Sequence, residues 1–165
     1  MDPVTTHLGL GSNLGDRGAR LGEAAERLRH AEGIVSVALS SFYETSPVGG
    51  PPQGWFLNAA ARVVTTSPPR ELLATCLEIE RAMGRVRGPV NGPRVIDLDV
   101  LLYADRVVAE PGLLIPHPEM LRRRFVLVPL AEIAANVLHP VERESIASLL
   151  ERLPSSSETV RRYES

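Results

Sequence analysis

Strand-like and helix-like periodicity alternate along this chain in an order that few folds accommodate. Val4 to Leu10 reads as a short buried strand, and the turn Gly11-Ser12-Asn13-Leu14-Gly15-Asp16 follows, with Asp16 placed to cap a helix. Leu21, Ala24, Ala25 and Leu28 then recur at helical spacing until Gly33. Ile34 to Tyr43 is rich in β-branched and aromatic residues and reads as a second strand, Phe56 to Thr66 as a third. Pro68 and Pro69 suit the start of a second helix, whose apolar stripe is Leu72, Cys76, Ile79 and Met83. Val95 to Tyr103 is a fourth strand, with Val107 and Val108 as its expected hairpin partner. Pro129 is expected in the first turn of a short helix through Ile133, and Ser145 to Leu153 in another. Strand–helix–strand–strand–helix–strand is a split βαβ pattern. It predicts an α+β, ferredoxin-like fold with an antiparallel or mixed sheet and helices packed on it. No linker or repeat divides the chain, so residues 1–165 are expected to form one domain.

Composition removes several classes of function. A net charge of −2 gives no reason to expect nucleic acid or an anionic membrane as partner. No apolar run approaches a membrane span and no signal-peptide pattern opens the chain, so a cytoplasmic location is expected. One cysteine, Cys76, excludes an internal disulfide and a cysteine-based zinc site, and it reads as core. There is no lysine; all 18 basic residues are arginine. A P-loop lysine or a lysine Schiff base is therefore impossible. Any phosphate here is held by arginine.

The strongest chemical signal is Arg94-Val95-Ile96-Asp97-Leu98-Asp99-Val100-Leu101. Alternate residues of a strand share a face, so Asp97 and Asp99 point one way while Ile96, Leu98 and Val100 point into the core. Their Cα atoms would lie roughly 6.5–7 Å apart, close enough to hold or bridge hard cations such as magnesium. The competing reading is a solvated strand face, but like charges side by side on a strand need a reason. Arg85, Arg87, Arg94, Arg122, Arg123 and Arg124 are candidates for phosphate contacts, against the ordinary expectation that exposed arginines are merely solvated. His117, between Pro116 and Pro118, is either structural or part of the same cluster. Phe56 and Asn58 share a strand face, giving a ring to stack on and an amide to bond a heterocycle edge, and Phe125 could flank the same pocket. Simple core packing of Phe56 is the alternative. Gly9-Leu10-Gly11 opens a dinucleotide pattern whose third glycine is replaced by Leu14, and is taken as a turn.

Together these segments resemble the hydroxymethyl-dihydropterin pyrophosphokinases of folate biosynthesis. Gly92-Pro93-Arg94-Val95-Ile96-Asp97-Leu98-Asp99 is similar to the family signature. Gly11 to Gly15 resembles its first turn. Ser41 to Thr45 with Pro47-Val48-Gly49 resembles its pterin-side loop, and Phe56 to Ala60 the strand that follows. Glu80 with Gly84-Arg85-Val86-Arg87 resembles its nucleotide-side helix end, and Ile115 to Pro118 with Arg123 and Phe125 its last active-site segment. The resemblance implies transfer of diphosphate from ATP to 6-hydroxymethyl-7,8-dihydropterin, ATP binding first. It implies two magnesium ions on Asp97 and Asp99, and ATP contacts from Glu80, Arg87, Arg94, His117 and Arg123. Phe56 and Phe125 would stack on the pterin, Asn58 would bond its edge, and Thr45, Ser46 and the backbone at Val48 would assist. Arg85 and Arg87 would belong to a closing loop. A monomer or weak homodimer acting on these small molecules is expected.

The residues support that chemistry in their own right. A hydroxyl attacking the β-phosphorus with AMP leaving needs positioning and charge neutralisation more than a general base. The Gly/Pro loops 44–55 and 84–93 are natural lids. Two other classes stay open on the sequence alone: another two-metal phosphoryl enzyme, and an inactive ligand-binding relative. One departure stands out. Relatives commonly carry a basic residue and a tryptophan before the Gly-Pro-Arg, where this chain has Val90 and Asn91, so weaker loop closure is expected.

Overall fold

A computed structural model describes residues 1–47, 53–84, 95–154 and 158–164. Val90 and Asn91, and with them the expectation about loop closure, lie outside the described residues.

Strand β1 (Val4–Ser12) leads into helix α1 (Arg17–Arg29), whose first turn is capped by Asp16 accepting the Ala19 N–H at 3.1 Å. Gly33, at φ +85°, turns the chain into β2 (Ile34–Leu39), and β3 (Tyr43–Thr45) follows. Then come β4 (Phe56–Thr65) and α2 (Pro69–Ala82), the latter with proline at its start. Next are β5 (Asp97–Tyr103), β6 (Val108–Glu110), β7 (Leu113–Ile115), a 3-10 turn Met120–Arg122 and α3 (Arg124–Ala134). Helix α4 (Ile146–Arg152), capped by Ser145, and β8 (Val160–Arg162) complete the order.

The main sheet runs β5-β1-β4-β3-β8, every neighbouring pair antiparallel, and β2 also pairs with β4. Counting β2 and β3 as one interrupted strand, this is the ferredoxin-like order expected from the pattern. The interruption has a local cause. Ser40 donates its N–H to the Ala60 carbonyl at 2.8 Å, while its hydroxyl accepts the Ala60 N–H at 2.9 Å. A side chain thus replaces a ladder carbonyl, and three steps from Ser40 to Tyr43 face two from Ala60 to Asn58. One extra residue makes a bulge.

Both sheet faces are packed, with different partners. On one face Leu8, Leu10, Leu57, Ala59, Ala61, Val63, Leu98 and Val100 meet Leu21, Ala24 and Leu28 of α1 and Leu72, Cys76 and Ile79 of α2. On the other, Ala60, Leu101 and Leu102 meet Leu127, Leu130 and Ala134 of α3 and Ile146 and Leu149 of α4. Cys76 is fully buried, and burial, with Glu80 and Asp99 adding, pushes its thiol up to about 12. It is core, as its position in the apolar stripe predicts.

Four points differ from the sequence expectation. Gly9-Leu10-Gly11 is no turn: all three residues lie inside β1, paired with β4 and β5, and the chain turns only after Ser12. Val108 does not pair with β5: it opposes Ile115 in a separate β6–β7 hairpin, and Val107 lies outside that ladder, 60% exposed. Pro111-Gly112, with Gly112 at φ +75°, supplies a turn that brings β6 onto the residues after it. Pro129 is inside α3, whose first residue is Arg124. An interior proline costs about 3 kcal/mol in an isolated helix, but here Leu127, Pro129 and Leu130 are all buried, and that packing offsets it. Strand β8 was not anticipated; Val160 to Arg162 carries only one apolar residue and takes its place by pairing with β3.

Candidate active site

The geometry follows from strand alternation. Asp97 lies opposite Gly11, Gly11 opposite Asn58, and Asn58 opposite Tyr43, one cross-strand row over four strands. Asp99, Gly9 and Ala60 form the next row. These residues alternate with Leu98, Val100, Leu10, Leu57 and Ala59, which face α1 and α2. The polar rows therefore share the face that carries α3 and α4. A cavity of about 440 Å³ opens there. Its lining brings together Asp97, Asp99, His117, Arg123, Thr45, Ser46, Phe56, Asn58 and Phe125, all singled out from the sequence.

One end brings an oriented amide and two aromatic rings into the cavity lining. Thr45, 1% exposed, donates its hydroxyl to Asn58 Oδ1 at 2.6 Å, which fixes which way the amide of Asn58 points. Asn58 Nδ2 reaches the Leu10 carbonyl only at 3.4 Å, a weak contact. Gly11 makes room for this amide: a Cβ there would sit 2.7 Å from Asn58 Nδ2. Phe56 lies on the same face of β4, and Phe125, in the first turn of α3, lines the cavity with it. The Arg123 guanidinium stands 5.5 Å from the Phe125 ring centre.

The other end is charged. Asp97 and Asp99 are half-buried on β5, beside His117 and Arg123. His117 follows the cis Ile115–Pro116 bond and donates its backbone N–H to the Leu101 carbonyl at 3.0 Å, tying its loop to β5. Its Nδ1 accepts the Glu119 N–H at 3.1 Å, so in the neutral ring Nε2 carries the proton and is a donor. Burial lowers the His117 pKa, with Asp99 opposing and Arg123 adding to the fall. The two carboxylates and this donor fit hard cations carrying phosphate. Among the described residues no group of three or more His, Cys, Asp or Glu could hold a metal, so any ion would complete its shell from substrate oxygens and water.

Glu80 is placed elsewhere. It is 4% exposed on α2, beneath the opposite sheet face, and its Oε2 accepts the Leu98 N–H at 2.7 Å. It is not among the cavity-lining residues. Val48, Arg85, Arg87 and Arg94 lie outside the described residues. Of the two arginines beside Arg123, Arg122 lines the cavity rim, paired with Glu119, whereas Arg124 reaches the Leu153 carbonyl at 3.4 Å. Sequence reading missed Gly9, Gly11 and Glu158, which also line the cavity. A glycine at every second strand position signals a close approach on one face, so the glycines were findable. For Glu158 the sequence held no signal.

No helix among the described residues is long and apolar enough to cross a membrane. Among known proteins, the chain is 50% identical over 145 residues to the 2-amino-4-hydroxy-6-hydroxymethyldihydropteridine pyrophosphokinase of Methylorubrum extorquens, covering 87% of this chain and 92% of that one. It is 40% identical over 143 residues to the enzyme of the same name from Aquifex aeolicus, covering 87% and 88%. A solved structure of HPPK-DHPS in complex with substrates is similar in fold, with a TM-score of 0.74 at 14% identity, covering 92% of this chain and 43% of that one. Wild-type HPPK-DHPS of Plasmodium falciparum gives 0.71 at 15% identity, covering 92% and 45%. The present chain thus spans less than half of those solved chains, and they bear on its fold alone. The profile of 7,8-dihydro-6-hydroxymethylpterin-pyrophosphokinase (HPPK) matches residues 7–135, and with the full-length relatives it establishes that this chain belongs to that pyrophosphokinase family.

Proposed function

We propose that the cavity on the α3 face is where the chain transfers diphosphate from ATP to 6-hydroxymethyl-7,8-dihydropterin, releasing AMP. The observation that carries this reading is the joining of two sites in one cavity: a ring site of Phe56, Asn58 and Phe125, and a phosphate site of Asp97, Asp99, His117 and Arg123. In the ring site, Asn58, held by Thr45, reads the pterin edge with Ser46 beside it, and the backbone at Val48 would assist. Phe56 and Phe125 sandwich the ring and keep water from it. In the phosphate site, Nε2–H of His117 and the guanidinium of Arg123 bond ATP oxygens, and Arg94 joins them.

Asp97 and Asp99 would hold two magnesium ions. That metal, when bound, supplies neutralisation of the charge on the transferred group. Around it, the chain's own residues hold the hydroxymethyl oxygen and the β-phosphorus in line and exclude water. Arg85 and Arg87 would complete the set of arginines that act on the transferred group. The position of Glu80 suits an indirect role: its carboxylate fixes the edge of β5 one residue from each aspartate. We take the domain to span 1–165, the protein to work in the cytoplasm as a monomer or weak homodimer, and its partners to be these small molecules alone.

The test is to supply ATP, magnesium and the dihydropterin alcohol and identify the nucleotide formed. AMP should appear in step with pterin consumption. ADP in its place would overturn the reading.

A further inference from the structure

The N-terminus of α3 carries Phe125, yet its own sequence leaves it poorly finished. No side chain of its first turn caps it, no acidic residue lies in that turn, and Arg123 and Arg124 put positive charge at the positive end of the helix dipole. The missing acceptor comes from 33 residues further along. Glu158 Oε1 accepts the Phe125 N–H at 3.0 Å. Glu158 also lines the cavity.

The segment bearing Glu158 is anchored to the opposite wall of the ring site. Thr159 donates its N–H to Ser46 Oγ at 2.9 Å, and Ser46 returns its N–H to the Thr159 carbonyl at 3.0 Å. Val160 then pairs with Thr45, the residue that orients Asn58. One short segment, Glu158 and Thr159 with the start of β8, therefore holds both walls: Thr45 and Ser46 through Val160 and Thr159, Phe125 through the Glu158 carboxylate.

We propose that Glu158 is a positioning residue for the pterin site, capping α3 from the segment that leads into β8 so that the Phe125 ring is held at a fixed distance from Asn58. This rests on the functional reading above. A charged acceptor across two elements is a stronger tie than a neutral one, but the geometric role needs only an acceptor at Oε1. Glutamine keeps that acceptor and alanine removes it.

The test compares full-length Glu158→Ala and Glu158→Gln with the parent by hydrogen exchange at the Phe125 amide and by steady-state kinetics. In the alanine variant, Phe125 protection should fall and the pterin KM rise about tenfold, a change of the size one hydrogen bond supports. Its kcat and its affinity for an ATP analogue should stay within about threefold, and the glutamine variant should track the parent in every readout. Should the alanine variant fail to fold, Glu158→Asp, which shortens the reach by one methylene, gives the same comparison. An unchanged pterin KM in the alanine variant, or equal losses in alanine and glutamine variants, overturns the proposal. A parent that neither binds nor consumes the alcohol overturns the functional reading itself, seen before any variant is compared, and this inference falls with it.

Discussion

The two faces of the central sheet are made from the same three strands and do opposite things. Toward α1 and α2, strands β1, β4 and β5 present Leu8, Leu10, Leu57, Ala59, Leu98 and Val100, a closed aliphatic layer. Toward α3 and α4 they present Gly9, Gly11, Asn58, Asp97 and Asp99, which leave a cavity. No loop is needed to bring most of these polar groups together; the two-residue period of a strand does it. The closed face also explains how a strand bearing two neighbouring aspartates stays in place. Leu98, between them, is 3% exposed in the aliphatic layer, and its N–H is taken up by buried Glu80. A register slip of one residue would drive the aspartates into the core, so packing on one face enforces chemistry on the other.

The comparison predicts a clean division of effects. Asp97→Ala and Asp99→Ala should each lower turnover about a thousandfold, roughly 4 kcal/mol in the transition state, with melting temperature nearly unchanged. Either variant keeping near-normal turnover at saturating magnesium would make the pair a solvated strand face. Leu98→Ala, one residue away, should do the reverse. A buried leucine cut to alanine costs about 2–5 kcal/mol of stability, measurable by urea unfolding, while the folded fraction keeps its affinity for ATP. If Leu98→Ala abolished turnover with no stability loss, the two faces would not be separable.

Acid sharpens the contrast further. His7 is buried on β1, and its pKa is lowered to about 4 by burial, with Arg62 adding. The unfolded chain takes up a proton near its ordinary pKa while the folded one does not. Stability should therefore be full above about pH 6.5 and decline as pH falls toward 4, by up to about 3 kcal/mol from this group. Unfolding titrations across that range check it, and His7→Leu should flatten the slope. The smallest effect concerns the room left by glycine. In Gly11→Ala, the new Cβ must push the Asn58 amide aside. Pterin binding should weaken by about 1–3 kcal/mol in calorimetry with ATP binding unchanged. Equal losses for both ligands would place Asn58 outside the pterin end.

These predictions rest on parts of the molecule that were unequally legible in the sequence. The split βαβ succession of elements, both long helices and the alternation at Asp97–Asp99 followed from periodicity, because each element carries its own period. What escaped depends on contacts between distant residues. Ser40 breaks a strand by hydrogen-bonding Ala60, and nothing local distinguishes it from its neighbour Ser41. Pro129 reads as a helix start until the buried stripe around it is known. Val108 is strand-like in either pairing, and the Pro-Gly turn after it decides. Of the site, Asp97, Asp99, His117, Arg123, Phe56, Asn58 and Phe125 fell into one cavity as the motifs suggested. Glu158 was invisible because its role comes from lying across from a helix start 33 residues earlier.

The central claim is that the open face hands over a diphosphate, both phosphorus atoms together. The most direct measurement follows ATP labelled at the β-phosphorus with the dihydropterin alcohol and magnesium present. The label should leave the nucleotide and appear in the pterin product as unlabelled AMP accumulates. Label retained in a nucleotide diphosphate while the pterin is consumed would mean that one phosphate moves, and would contradict the account.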